Sequence, residues 1–337
     1  MNVVVTVDTE EDNQWQRPWP STVENLQFLP RFQFLCDRYG LKATYLCTYG
    51  VVNSPAFDLI RSYQKNGRAE IGAHLHPWAN PPFNSDWSED RACCPYPSEL
   101  PLDLFSDKLE ALTEATCRRT GIRPRSYRAG RWGFCAEHVP ALLRLGYEVD
   151  SSVTPSVSWQ SHLGTRQGGP DFRQAPVHPY FLSPENTCQP GASDLLEVPV
   201  TVLTNSLAHR SAFLKRLLST HQGTLTTRII SKCLRLRPRW FRPLPGESAR
   251  DLKRVHREAC RQHLPVTVFM CHSSELMPGG SPYYPTPESV ERLYGNLESL
   301  FGFLAESGAK GLTLHEFSRQ YGSQPRGTAQ SRTAAPV

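Results

Sequence analysis

The chain has no apolar run long enough to cross a bilayer. Its longest, such as Val3 to Val7, falls far short of the ~18 consecutive apolar residues that a membrane helix needs, so no transmembrane helix is expected. A cleaved export signal is not expected either: "MNVVVTVDTEED" has no basic n-region and meets acidic residues where a leader would stay apolar. The expectation is a cytoplasmic protein. Nor is there any C-x-x-C spacing. The ten cysteines are scattered, which argues for buried thiols instead of a disulfide framework or a zinc knuckle, the adjacent Cys93 and Cys94 included. Internal repeats are absent.

What is present is globular. The 337 residues, 39% hydrophobic and 10% aromatic, can build one large α/β domain or two smaller ones. Net charge is +5, but unevenly spread. Residues 209–261 hold 14 Lys or Arg against three acids, leaving 23 basic and 29 acidic residues elsewhere. That basic segment mixes cationic, aliphatic and aromatic side chains, as in "RIISKCLRLRPRWFRPL". It reads first as a solvated insertion. Peripheral contact with an anionic membrane or a lipid-linked sugar is the alternative, and nucleic acid is not expected.

Short apolar runs alternate with helical patterns. Strands are expected at 3–8, 43–48, 70–74, 126–129, 148–152, 195–203, 266–271 and 311–315. Helices are expected at 23–39, 57–65, 104–119, 137–145, 250–263 and 287–307. This β-then-α order predicts a parallel sheet or barrel with helices outside, and a site beyond the C-terminal ends of the strands.

Chemistry-bearing residues fall at those ends. "TVDTEED" gives Asp8 and Glu10, which share a face because extended side chains alternate, while Glu11 and Asp12 read as a solvated turn. "EIGAHLHP" gives His74 and His76 on one face, either metal ligands or ordinary hydrogen-bonding groups. "YRAGRWGF" supplies Arg128, whose fork of donors suits a carboxylate, and "VFMCHSS" supplies His272. Glu197 is a candidate to orient His272, or simply a charged strand-end residue. Trp78, Trp132 and Tyr283 are candidates for an apolar floor, and His178 and His315 are read as structural.

This ordered set, T-V-D-T-E, E-I-G-A-H-L-H-P, R-A-G-R-W-G-F and V-F-M-C-H, resembles the polysaccharide deacetylase family, carbohydrate esterase family four with its chitooligosaccharide deacetylase-like domain. The resemblance implies a deformed (β/α) barrel over about residues 1–320, and the small, polar, Pro-containing 321–337 is expected to be a disordered tail on composition. The resemblance also implies one divalent metal ion, with zinc the expected metal. Carried over by position, Asp8 matches the base, Arg128 the residue that orients it, Glu10 and His74 two metal ligands, and His272 the acid. Two departures stand out: Asp8-Thr9-Glu10 replaces consecutive aspartates, and Trp78 stands where the second histidine usually lies, so His76 takes that ligand's place.

The implied activity is removal of an N-acetyl group from an amino sugar of a surface polysaccharide or its precursor. Rival readings are an amide or imide hydrolase acting on a small non-sugar substrate, and a non-catalytic carbohydrate-binding protein on the same scaffold. The amidohydrolase lineage also uses H-x-H, but there the pair ends the first strand. Here an aspartate strand precedes it.

Overall fold

The computed structural model describes residues 1–16, 21–83, 94–203 and 238–323. At its centre is β1 (Asn2–Thr9), buried from Val3 to Thr9. A strand covered on both faces is apolar on both, so "VVVTV" runs on instead of alternating. On one side β1 pairs in parallel with β10 (Val266–His272), and on the other with β2 (Ala43–Cys47) and β11 (Lys310–Leu312). The sheet continues in parallel through β3 (Ala69–Leu75), β4 (Ser126–Ala129), β5 (Val149–Asp150) and β7 (Leu196–Glu197), and ends on the antiparallel β6 (Tyr180–Phe181).

Helices pack outside this curled sheet, the longest of those described being Leu102–Thr120 and Pro287–Glu306. The gap between β7 and β10 is bridged by a small pair, β8 (Val202–Leu203) and β9 (Arg239–Trp240). Thr201 N donates to Val268 O at 3.2 Å, and Met270 N to Phe241 O at 3.3 Å. The result is the expected deformed (β/α) barrel. No described helix is long and apolar enough to cross a membrane.

Among the elements that differ from expectation, three have a clear local reason. The helix expected over 23–39 starts as a 3-10 turn, Glu24–Phe28, and restarts at Leu29–Arg38, because Pro30 suits only the first turn of a helix. The strand expected over 195–203 is split at Pro199 into β7 and β8, which lie in different sheets. After Leu312 the chain turns into a helix, Leu314–Gly322, so His315 is helical. The cause is a reciprocal cap: Thr313 Oγ1 accepts from Glu316 N at 3.1 Å while Glu316 Oε2 accepts from Thr313 N at 3.0 Å. Of the basic segment, 209–237 lies outside the described residues, as do 324–337 of the expected tail.

Strand alternation carries the interior from apolar to reactive. Val3, Val5 and Val7 join the core beneath the outer helices, while Val4 packs with Leu46, Val149, Leu196 and Val268 in a second cluster plugged by Leu314 and Phe317. The residues two and four beyond Val4 on that face are Thr6 and Asp8. One side of β1 therefore climbs from an apolar plug to a carboxylate.

Candidate active site

Register places the sequence's strand-end residues together. Asp8 is the Cα partner of His272 across β1 and β10, and His74 is the partner of Arg128 across β3 and β4. Asp8, Glu10, His74, His76 and His272 line one cavity of about 320 Å³.

Arg128 is wholly buried, and four of its five N–H donors are bonded. It donates to Asp8 Oδ1 at 2.5 Å and Thr6 Oγ1 at 3.0 Å through one nitrogen, to Ser151 Oγ at 2.9 Å through the second, and to Ser151 O at 2.7 Å through Nε. Burial alone would push the Asp8 carboxyl up. The charges of Arg128, His74 and His272 outweigh that and hold it at about 2, so it is ionised at neutral pH.

Glu10, His74 and His76 form a group that could hold a metal ion, with ligand atoms all within 4.8 Å of one another. His76 Nε2 lies 2.8 Å and His74 Nε2 3.8 Å from Glu10 Oε2. The opposite nitrogen of His74 stands 3.0 Å from the Arg128 carbonyl, which fixes the tautomer with Nδ1–H donating and the Nε2 lone pair free for a ligand role. Burial drives His74 down to about 4, keeping it neutral, and pushes Glu10 up, with Asp8 adding to the rise. Two imidazoles, His74 held neutral, beside a desolvated carboxylate that no Lys or Arg pairs among the described residues, fit a divalent cation. Gly130 is part of this fit. A Cβ there would collide with the His76 ring and the Leu75 carbonyl, so "AGR" needs its glycine.

Across the cavity, His272 Nε2 lies 3.9 Å from Asp8 Oδ2 and 3.8 Å from Glu10 Oε1. Its Nδ1 lies 2.8 Å from Glu275 Oε1, and Arg242 donates to the same Glu275 oxygen at 2.5 Å. Burial and the Arg242 charge pull His272 down. The Glu275 hydrogen bond and the charges of Glu10 and Glu275 outweigh them, raising it above the ordinary imidazole value.

Several sequence expectations need correcting. Glu275, not Glu197, is the carboxylate on His272, and "HSSE" could have signalled it, since a short 3-10 helix, Ser273–Leu276, brings the i+3 acid back to the imidazole. Glu197 lies buried beside Asp150 and accepts from Val153 N at 3.1 Å; burial pushes both carboxyls up, and Asp150 adds to the cost of ionising Glu197, while a hydrogen bond from Glu197 offsets part of the rise at Asp150. Glu11 and Asp12 are not a solvated turn. Both are buried, Glu11 accepting from Gly50 N at 3.1 Å and Asp12 from Glu24 N at 2.7 Å and Asn25 N at 2.9 Å. Arg242 shows that the basic segment is not wholly solvated. Nothing in its run of cations distinguished this one. Trp78, Trp132 and Tyr283 do line the cavity, while His178 and His315 do not, and His315 pairs with Glu148 at 3.1 Å.

No family model matches the chain, and no curated protein matches it. Solved structures do. A candidate polysaccharide deacetylase from Mycobacterium smegmatis is similar at 15% identity with a TM-score of 0.51, covering 99% of this chain and 92% of its own. A candidate glycoside hydrolase/deacetylase from Parabacteroides distasonis is similar at 17% identity with a TM-score of 0.58, covering 96% and 72%. At such identities the likeness is one of fold, and the fold this chain carries is that of the polysaccharide deacetylases.

Proposed function

We propose that this protein is a metal-dependent hydrolase that removes the N-acetyl group from an amino sugar of a surface polysaccharide or its precursor. The observation that carries the reading is the grouping of Glu10, His74 and His76 between an ionised Asp8 and a His272 whose pKa is raised. The fold and the resemblance in motifs support the substrate class. With two nitrogen donors and one carboxylate, zinc is the expected ion.

A divalent ion held there supplies Lewis acidity, which polarises the amide carbonyl and makes water nucleophilic near neutral pH. Asp8 takes the proton as water adds to the carbonyl carbon, and Arg128 keeps it aimed and charged. His272, protonated, gives its Nε2 proton to the nitrogen as the C–N bond breaks. Acetate and the free amine leave. Glu275 and Arg242 fix the imidazole from behind.

The test is acetate release from N-acetylated sugars by the zinc-loaded protein, with and without chelator. Chelator-sensitive acetate release is expected. A different amide product with no acetate would transfer the protein to small-molecule amide hydrolysis, and sugar binding with no product would make it a binding protein.

His272→Ala should lower kcat by about 10²–10⁴-fold, the range of a lost general acid. Glu275→Gln should lower it less and move the alkaline limb of the pH-rate profile downward. The sign follows from Glu275 raising the His272 pKa: without that carboxylate the proton leaves at lower pH. An unmoved limb would disconnect Glu275 from the proton transfer.

A further inference from the structure

The cavity holds a second arginine that the deacetylase chemistry does not use. Arg131 lines the same 320 Å³ space as the candidate metal ligands. Its guanidinium stacks over the Tyr96 ring at 4.5 Å and donates to Tyr96 Oη at 3.4 Å. Among the described residues no carboxylate lies within ion-pairing distance of it, whereas Arg242 is neutralised by Glu275.

The backbone holds Arg131 there against its preference. Its φ of 51° and ψ of 26° are left-handed, and Trp132 follows with a φ of 62°. Two successive side-chain-bearing residues in that region are strained, and such strain persists where surrounding structure holds it, often at ligand sites. Around them the wall is aromatic and latched. Trp132 stacks on Trp159 at 6.2 Å and 20°, and Tyr96 Oη donates to the His162 carbonyl at 2.7 Å, joining the loops that carry Tyr96 and Trp159.

Charge completes the argument. Glu275, behind His272, is matched by Arg242; of the lining carboxylates, Asp8 is matched by Arg128, while Glu10 has no Lys or Arg paired to it among the described residues. A divalent ion more than offsets it, and Arg131 adds a further positive charge between apolar walls, where charges are poorly screened. A cavity of 320 Å³ is also small, near the lower end of the ~300–1,000 Å³ range of small-molecule sites.

We infer that this site takes a short amino sugar bearing an anionic substituent, a phosphate ester or a carboxylate, and that Arg131 is the residue that reads the anion. The inference rests on the deacetylase reading for the sugar and on Arg131 for the charge.

The two are separable by experiment. Calorimetric binding to the zinc-loaded full chain would compare neutral N-acetylglucosamine and its β-1,4 tetramer with three anionic probes. These are N-acetylglucosamine 1-phosphate, N-acetylglucosamine 6-phosphate and N-acetylmuramic acid, which place the phosphate at either end of the ring or replace it by a carboxylate. At least one should bind about tenfold or more tighter than the neutral sugar, as a charge-assisted hydrogen bond allows. Arg131→Gln should bring that ratio to within about twofold, and Arg131→Lys should keep part of it. Equal binding of neutral and anionic sugars, or a preference that survives Arg131→Gln, overturns the assignment, the latter by giving the anion to the metal. If the preference is present but no probe releases acetate, the deacetylase reading falls while Arg131 keeps its role. If neutral sugars release acetate with no anionic preference, the reverse holds.

Discussion

Alanine at His74 or His76 is expected to empty the site of metal and reduce acetate release to background. Each imidazole is one of three donors whose ligand atoms lie within 4.8 Å of one another, so either change leaves two. Two donors do not make the three-ligand set of a catalytic zinc site. The His76 variant is the sharper test, because its assignment rests on a two-residue spacing, whereas His74 is also fixed through the Arg128 carbonyl. Elemental analysis of the purified proteins, alongside melting curves to confirm folding, should show about one ion per wild-type chain and almost none in either variant. Metal retained in His76→Ala would remove that residue from the ligand set. The base and acid would then need a different partner.

Replacing Arg128 by methionine should have the largest effect on stability, about 3–5 kcal/mol, the range for breaking one side of a buried ion pair. The deficit should depend on pH, and its sign can be worked out. In the wild type the Asp8 pKa, at about 2, lies below its unfolded value, so its contribution is present above the ordinary carboxylate range and is lost as pH falls through the folded value. Without Arg128, burial raises that carboxyl instead, and the folded state is penalised as pH rises through the ordinary range. Urea unfolding should therefore show Arg128→Met much weaker than wild type at neutral pH and relatively closer to it near pH 4. Adding Asp8→Asn should recover part of the loss, since the stranded charge is then gone. A pH-independent deficit, or one under about 1 kcal/mol, would contradict the burial argument.

The parts of this site that were legible in the sequence share one property. Asp8, Glu10, His74, His76, Arg128 and His272 sit at or just past the ends of strands, where a period of two fixes which side chains share a face. That rule needs no knowledge of neighbouring strands. Glu275 and Arg242 escape it, one sitting in a short 3-10 helix and the other arriving beside His272 from thirty residues upstream. Glu197 shows the opposite error. It obeys the strand-end pattern, but Pro199 splits its strand, and the sheet places it against Asp150 instead. The barrel was readable from the β-then-α alternation, while its closure through Thr201 and Phe241 depends on single hydrogen bonds that no periodicity announces.

The register of β1 against β10 sets the order in which the molecule becomes competent. Asp8 and His272, base and acid in the proposed reaction, are directly paired yet lie far apart along the chain. Closing so long a loop is slow to nucleate and is repaid only when the two strands zip together. Glu10, His74 and His76 are all made long before β10, so an unfinished chain can carry the candidate metal ligands while lacking the proton donor. In the proposed reaction, turnover therefore requires β1 to have met β10, whereas metal binding by Glu10, His74 and His76 does not.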